Sequence, residues 1–284
     1  MERTLKARKP IALVLITVLL VSCVRGKARE PQVNGSNFRG SSAREVEIGR
    51  QIHQQITSAF QMYTEPRLVG YVTRVGRSLT KAAERKDLPY LFTVLYDDRV
   101  YATEAPGGFV YVTTGYLNFI QNEAELAAAL AHEIGQLQIR DSLKAGPRRA
   151  LNLLAQGGAV AAPFFGQFGV LIAGALVLMN AMTESTLPSP DERLEKADQK
   201  ALRYLLEAGH DPQGYLDLLN RLVNGDAYWS PYLFDYSLSR PITTRRYQAA
   251  VKEFHKLPLV DKTFSVHRER YLDMTKGVRE IYQR

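Results

Sequence analysis

The stretch from Leu130 to Leu137 reads LAHEIGQL and decides what kind of fold this chain can have. It lies inside a longer segment, Asn122–Leu143, in which apolar residues recur with the period of an α-helix. Two acidic residues occupy the first turn of that segment, where carboxylates suit the positive end of the helix dipole. The pattern therefore predicts one long helix that carries His132 and Glu133 near its middle.

The same stretch differs by one residue from the H-E-x-x-H pattern. In that pattern two histidines one helical turn apart bind a zinc ion, and the glutamate polarises the water bound to the metal. Here His132 and Glu133 match, but Gln136 stands where the second histidine belongs. An isolated His-Glu pair on a helix is more often structural than catalytic, so this stretch by itself leaves the question open.

Elements on either side of this segment indicate the class of fold. Apolar residues with helical spacing predict helices near residues 42–60, 66–84, 191–208, 213–223, 245–256 and 267–283. Two β-branched and aromatic runs, residues 91–96 and 109–113, predict strands, and Pro106-Gly107-Gly108 marks a turn before the second. We therefore predict an α+β fold, mainly α-helical, with a small sheet.

The first 23 residues resemble an export signal. Four basic residues precede the uncharged run IALVLITVLLVS, which is about the length of a secretory signal and short for a membrane span. The run ends in Leu20-Val21-Ser22-Cys23, which resembles the lipobox of bacterial lipoproteins, and Cys23 is the only cysteine. We predict a lipoprotein signal peptide over residues 1–22 and lipidation of Cys23. A plain signal peptide with an incidental cysteine is the alternative.

The net charge that remains after removal of the signal peptide indicates which classes of partner the chain can bind. Removal of residues 1–22 takes four basic residues and one acidic residue and lowers the net charge from +8 to +5. A scattered charge of that size favours solubility and attraction to anionic lipid, and it argues against nucleic-acid binding. Residues 23–41 are polar and aperiodic, as in a flexible tether. We predict that a folded domain over residues 42–255 comes next, and that a C-terminal helical extension over 256–284 completes the chain.

No residue between Arg149 and Glu184 is charged. Glycine, proline and glutamine interrupt this apolar stretch, so its longest pure run is too short to span a membrane comfortably. A buried or lid-like helical hairpin is one interpretation, and a membrane-dipping or oligomer-forming surface over residues 157–182 is the other.

Several segments together resemble one known family. Their order and spacing over about residues 43–250 are similar to the zinc metallopeptidase family of the CAAX prenyl protease, the HtpX-like and mitochondrial Oma-type proteases, and the periplasmic β-barrel-assembly-enhancing protease. The segments are FTVL (92–95), APGGFVYVTTG (105–115), NEAELAAALAHEIG (122–135), Ala197-Asp198 and AGHDP (208–212). The resemblance implies a zincin-like fold with a small sheet beside the helix of His132.

The family's zinc ligands carry over only in part. The resemblance implies His132 as the first ligand, Gln136 at the second, Glu133 as general base and Asp198 as a supporting carboxylate. The third ligand, a glutamate four residues before that aspartate, falls at Leu194, and Glu195 is the nearest carboxylate. One residue on a helix is about 100° of rotation, so Glu195 is expected to point away from the metal. We therefore expect no cofactor, or zinc if the site is retained.

The resemblance also implies roles for two further regions. A late-loop histidine of the family falls at Arg240, and we hypothesise that this guanidinium pairs with Glu133 or Asp198 in place of the metal charge. An exposed loop arginine is the alternative. The family also implies a strand that receives substrate, and the matching residues are Phe109, Val110, Tyr111 and Val112. That strand serves either peptide docking or folding alone.

The sequence thus predicts a lipid-anchored periplasmic protein, at the outer rather than the inner membrane, with a degenerate metallopeptidase domain. Its partners would be the membrane, through the N-terminal lipid, and envelope or outer-membrane polypeptides, which it binds or scaffolds without cleaving them. Two alternatives stay open. One is a zinc endopeptidase of envelope quality control with a non-standard ligand set, and the other is a membrane-associated protein that oligomerises through residues 157–182.

Overall fold

A computed structural model of the chain describes residues 41–139, 190–224 and 244–283. Five of the sequence-based predictions lie outside these ranges: the lipidated Cys23, the signal peptide, the tether up to residue 40, the apolar segment 157–182, and the pairing of Arg240. All described residues belong to one compact unit, Asn34–Arg284.

Nine helices and three strands make up the described ranges. The helices are α1 (Ser41–Ala59), α2 (Pro66–Thr80), α3 (Thr114–Phe119), α4 (Glu123–Ile139), α5 (Pro190–Ala208), α6 (Gln213–Val223), α7 (Thr244–Phe254), α8 (Arg268–Met274) and α9 (Lys276–Tyr282). The strands are β1 (Leu91–Leu95), β2 (Ala102–Ala105) and β3 (Phe109–Thr113). The predicted α+β class, mainly helical with a small sheet, is confirmed. Over these ranges no helix is long and apolar enough to cross a membrane.

The three strands form one mixed sheet in the order β1-β3-β2. β1 runs parallel to β3, and β2 runs antiparallel to it. A tight turn joins β2 to β3, and both its glycines, Gly107 and Gly108, have positive φ angles of 81° and 91°, which glycine adopts without steric cost. β2 has only four residues and carries Thr103 and Glu104, so its sequence gives no strand signal.

The sheet order corrects the predicted docking strand. Phe109, Val110, Tyr111 and Val112 belong to β3, which lies between the other two strands and is buried at every position. Because the backbone of β3 pairs with a neighbour on each side, it cannot accept an added strand. The prediction that β3 is a docking edge is therefore wrong. The outer strand on the side of α4 is β2, which packs against that helix.

Helix α4 is the centre of the described core. Fifteen of its 17 residues are buried, which identifies a helix surrounded by protein on all sides rather than an amphipathic surface helix. It packs against α2, α5, α6 and β2. The approach to α5 is close at Gly135, where an added Cβ would lie 2.8 Å from the backbone oxygen of Ala197. The absence of a side chain at this position lets α4 and α5 cross in contact.

The two acidic residues in the first turn of α4 do more than match the helix dipole. Glu123 accepts hydrogen bonds from Tyr71 (2.8 Å) and from Arg270 Nε (2.6 Å). Glu125 accepts from both terminal nitrogens of Arg221, at 2.6 Å each, and from the backbone N–H of Gln121. These buried carboxylates therefore connect the start of α4 to α2, α6 and α8.

Residues 256–283, predicted as a helical extension, pack into the same unit as the rest. Tyr271 on α8 is fully buried, and its hydroxyl donates to the carbonyl of Leu117 at 2.5 Å. The Tyr282 hydroxyl on α9 lies 2.9 Å from Thr114 Oγ1. These contacts place α8 and α9 against α3.

A cluster around Glu84, in the loop after α2, yields a pH-dependence prediction. Glu84 accepts from Lys200 Nζ at 2.7 Å and from Arg203 and Tyr204. Burial by itself raises the pKa of Glu84, but these hydrogen bonds from α5 outweigh it and lower the pKa to about 2. A carboxylate whose pKa is depressed by folding stabilises the protein above its unfolded pKa, near 4.5, and that contribution is lost as the pH falls towards 2.

We expect Glu84→Gln to lower the free energy of unfolding at pH 7 by about 0.5–1 kcal/mol, a small effect because the side chain is 41% exposed and solvent screens the charges. The difference from the unchanged protein should shrink as the pH falls from 5 to 3. Urea denaturation at each pH measures it. A difference that stays constant or grows towards low pH would contradict the assigned pKa.

Candidate active site

Four buried side chains from four helices meet beside the LAHEIGQL stretch. They are His132 on α4, Asp198 on α5, Tyr215 on α6 and Arg246 on α7, and none is more than 3% exposed. Each lies on the inward stripe of its helix: on α5, for example, Leu194, Ala197 and Ala201 are buried alongside Asp198. The stripes bring all four polar groups to one point in the core.

The Asp198 carboxylate is the centre of this cluster. Arg246 donates from Nε to Oδ2 and from Nη2 to Oδ1, both at 2.7 Å, which is the two-pronged geometry that guanidinium and carboxylate groups favour. The Tyr215 hydroxyl donates to Oδ1 at 2.5 Å, and His132 Nδ1 lies 2.9 Å from the same oxygen. Both oxygens are thus engaged.

The charge of Arg246 keeps Asp198 ionised. Burial alone would raise the pKa of Asp198, but the positive charge and hydrogen bonds of Arg246, followed by the contact with His132, hold that pKa well below its usual range. A buried carboxylate without such a partner would be costly, since removing one member of a buried ion pair leaves an uncompensated charge.

The cluster also assigns a proton to Nδ1 of His132. Its Nδ1 faces an ionised carboxylate oxygen at 2.9 Å, and the nearby Tyr215 hydroxyl already donates its proton to that carboxylate. Nδ1 therefore carries a proton and donates it to Asp198. In metal sites a carboxylate commonly holds a ligand histidine in this way. The support for His132 is thus complete in this chain.

The other predicted ligands do not join His132. Gln136 is partly exposed, and Leu194 is buried with an apolar side chain that offers no donor atom. Glu195, the replacement carboxylate, lies 3.4 Å from Arg245 Nε and is 25% exposed. Glu195 is rotated by about 100° from Leu194 on the helix, and its side chain faces Arg245 on α7.

The remaining histidines lie elsewhere. All five histidines of the chain fall within the described ranges, and the four besides His132 are structural or exposed. They are His53, 3.1 Å from the Tyr111 hydroxyl, His210, 2.8 Å from Ser78 Oγ, and the exposed His255 and His267.

The described residues therefore do not fit a zinc ion with three protein ligands. Within residues 41–139, 190–224 and 244–283, no three His, Cys, Asp or Glu side chains form a group that could hold a metal. An amide oxygen and an aliphatic side chain stand where imidazole and carboxylate would be needed, and zinc favours nitrogen, sulfur and charged oxygen ligands. Glu133 is buried beside His132, but no water-activating role follows for it without the ion.

Arg246 is the residue that the sequence reading missed. The hypothesis of a cation paired with Asp198 named Arg240, which lies outside the described residues, whereas the arginine bonded to both Asp198 oxygens is Arg246. One signal could have found it: Arg246 and Ala250 are four residues apart on the buried side of α7, so the arginine occupies an otherwise apolar stripe.

The Tyr215 hydroxyl gives a test of the cluster. We expect Tyr215→Phe to lower the free energy of unfolding by about 1.5–2 kcal/mol, because a hydrogen bond to a charged group is lost while the ring stays in place. Chemical denaturation measures this loss. Tyr247→Phe, at a partly buried position on α7, is the matched control and should change the stability by less than about 0.5 kcal/mol. Equal effects of the two variants would contradict the bond.

The fold and the site together define a metallopeptidase-type domain, built around a helix with a His-Glu pair and a supporting aspartate. A family model described as Peptidase family M48 matches residues 66–254. The chain therefore belongs to Peptidase family M48, and the resemblance inferred from the motifs is confirmed.

Individual relatives are more distant. The chain is 24% identical over 200 residues to the "Beta-barrel assembly-enhancing protease" of Escherichia coli (strain K12), and 25% identical over 196 residues to the protein of the same name from Yersinia pestis. These alignments cover 67% and 66% of this chain but only 40% and 39% of the relatives. The chain thus matches about two fifths of the length of these curated relatives.

Proposed function

We propose that this chain is a cell-envelope protein whose M48 peptidase domain no longer holds zinc and binds envelope polypeptides without cleaving them. The observation that carries the proposal is the position of the third ligand. Leu194 takes that place, and the adjacent Glu195 is directed to Arg245. A site left with His132 and a partly exposed Gln136 lacks most of the binding free energy of a zinc centre, about 10–16 kcal/mol for a full ligand set.

The envelope location is proposed from two observations. Relatives of the chain bear the name "Beta-barrel assembly-enhancing protease", which refers to assembly of barrel proteins. The N-terminal sequence has the features of an export signal that ends at Cys23. We propose that the mature protein is held at the periplasmic face of the outer membrane by lipid on this cysteine, and that barrel-forming polypeptides are among those it binds.

Strand β2 is the proposed contact for an extended polypeptide. It is the outer strand of the sheet on the α4 side, and its inner edge pairs with β3. An extended segment laid beside it would gain main-chain hydrogen bonds as an added strand does. A photo-crosslinking residue at Thr103 should then capture polypeptide, whereas one at Thr80, on the end of α2, should not.

Zinc content tests the proposal. We expect the purified chain to contain almost no zinc by elemental mass spectrometry, and Gln136→His/Leu194→Glu to contain about one zinc per chain, because the substitutions restore a three-ligand set. The 2.9 Å contact between Asp198 and His132 Nδ1 supports this expectation, because a carboxylate in that position orients a ligand histidine. Adding Glu133→Gln to the double substitution is the control: it should retain zinc but abolish any gained cleavage of casein.

The enzyme alternative makes the opposite prediction. A zinc endopeptidase that uses His132, Gln136 and Glu195 would bring about one zinc per chain from expression and would cleave casein without any substitution. Loss of that cleavage in Glu133→Gln would overturn the proposed absence of activity.

A further inference from the structure

A groove between α5 and the end of α7 lies apart from the His132 cluster. It has a volume of about 540 Å³, within the range of small-molecule sites in proteins. On α5 its wall is formed by residues with helical spacing, from Gln199 to Leu206. The opposite wall is formed by the end of α7 and the chain that follows it, up to Lys262. Neither the family nor the proposed function assigns a role to this groove.

The floor of the groove is aliphatic. Leu202 is 1% exposed, and Leu206 and Leu257 are half-buried. Pro258 continues the same surface from the second wall. A hydrocarbon placed over Leu202 would remove the exposed parts of Leu206 and Leu257 from water, which stabilises a complex.

Charged side chains line the rim of the groove. Arg203 is shared between Glu84 and Glu207, and the Lys256 ammonium lies 2.6 Å from the Glu253 carboxylate. The ammonium of Lys262, in contrast, makes no ion pair with any residue that the structure describes. A ligand for this groove should therefore end in an anionic group that meets Lys262.

The hydrogen bonds of the backbone around the groove distinguish two kinds of apolar anionic ligand, a polypeptide and an alkyl chain. The N–H groups of Lys256, Leu257 and Lys262 all donate to carbonyls of their own segment, and Pro258 has none. The other wall is a helix whose backbone groups bond internally. The carbonyls of a polypeptide would lose hydrogen bonds to water that these backbone N–H groups cannot replace, whereas an alkyl chain has none to lose.

We propose that this groove binds a free straight-chain fatty acid of about ten to twelve carbons. Its carboxylate lies at the Lys262 ammonium, and its alkyl chain lies along Leu202, Leu206 and Leu257. The positive charge and the aliphatic floor supply the two halves of the recognition.

Site-mapped photo-crosslinking tests the proposal on the full chain in a non-ionic detergent. The probe is a twelve-carbon fatty acid with a diazirine on the alkyl chain, and mass spectrometry locates the label. We expect label on the peptides that contain Leu206 and Leu257. Dodecanoate should displace half of the label at a concentration at least about fivefold lower than dodecan-1-ol or hexanoate requires. Dodecan-1-ol lacks the negative charge, and hexanoate has only half of the alkyl chain.

Two variants and one control separate the contribution of the Lys262 charge to binding from that of the aliphatic floor. Lys262→Gln should weaken labelling of the groove about fivefold, and Leu257→Ser about tenfold, while label elsewhere on the chain stays constant. Lys276→Gln, which changes a 76% exposed lysine on α9, should leave the labelling unchanged. Label absent from the groove, or equal labelling of Lys262→Gln and the unchanged chain, would overturn the proposal. So would a tetrapeptide with a C-terminal leucine that displaces the probe better than dodecanoate does.

Discussion

Replacing Arg246 with Met is expected to lower the free energy of unfolding by about 3–5 kcal/mol. The Arg246 guanidinium is buried and donates to both oxygens of Asp198, which is itself buried. Methionine fills much of the same volume but leaves the carboxylate without its positive partner. An isolated charge in the core is costly, so most of the loss reflects Asp198 rather than Arg246 itself.

Arg245 provides a matched control for this substitution. It is the preceding residue on the same helix, but it is 74% exposed, and its contact with Glu195 is long at 3.4 Å. Arg245→Met should change the stability by less than about 0.5 kcal/mol. Urea denaturation of both variants measures the difference. If they lose similar amounts, the buried pair is not what holds α5 and α7 together. A stable Arg246→Met/Asp198→Leu variant would show that the charge, not the packing, sets the cost.

Gly135→Ala is expected to lower the free energy of unfolding by about 2–3 kcal/mol. The new Cβ would meet the backbone oxygen of Ala197 at 2.8 Å and its Cα at 3.3 Å, and backbone atoms of a packed helix cannot move aside as a flexible side chain can. The helices α4 and α5 would have to separate. Because Asp198 follows Ala197, the contact between Asp198 and His132 should lengthen as well.

Replacing Gly70 with Ala separates the effect of this clash on stability from the effect of helix propensity. Gly70 lies within α2, and an added Cβ there would meet only the end of the Arg74 side chain, at 3.6 Å. Gly70→Ala should therefore raise the stability by about 0.5–1 kcal/mol, as replacing a helical glycine usually does. Thermal or urea denaturation of the two variants should give changes of opposite sign. A stabilising effect at both positions would contradict the close crossing of α4 and α5.

The cluster around Asp198 bears on the proposed function as well as on stability. Arg246, Tyr215 and His132 surround the aspartate, while Gln136 and Leu194 stand at the positions where the motif resemblance implies the other two ligands. Such a cluster joins four helices through one carboxylate, so it stabilises the domain whether or not a metal is present. This accounts physically for a site whose supporting groups are intact while its ligand set is not.

The sequence by itself determined the elements with a clear period. It predicted α6 at Gln213–Val223 and β3 at Phe109–Thr113 with the observed bounds, because apolar spacing and β-branched runs depend on local interactions. It also placed His132, Glu133 and Asp198 on helices, and it identified the family from motifs that the M48 match bears out.

Only the tertiary structure decided which elements are neighbours. The order β1-β3-β2 places β3 in the centre, and a run of apolar residues cannot reveal this because edge and central strands can share the same local pattern. The choice of Arg246 as the partner of Asp198 depends on how α7 packs against α5, and the sequence offers Arg245 beside it with the same charge. Local periodicity fixes which side of a helix is buried, whereas the pairing of two buried charges 48 residues apart depends on the packing of whole helices.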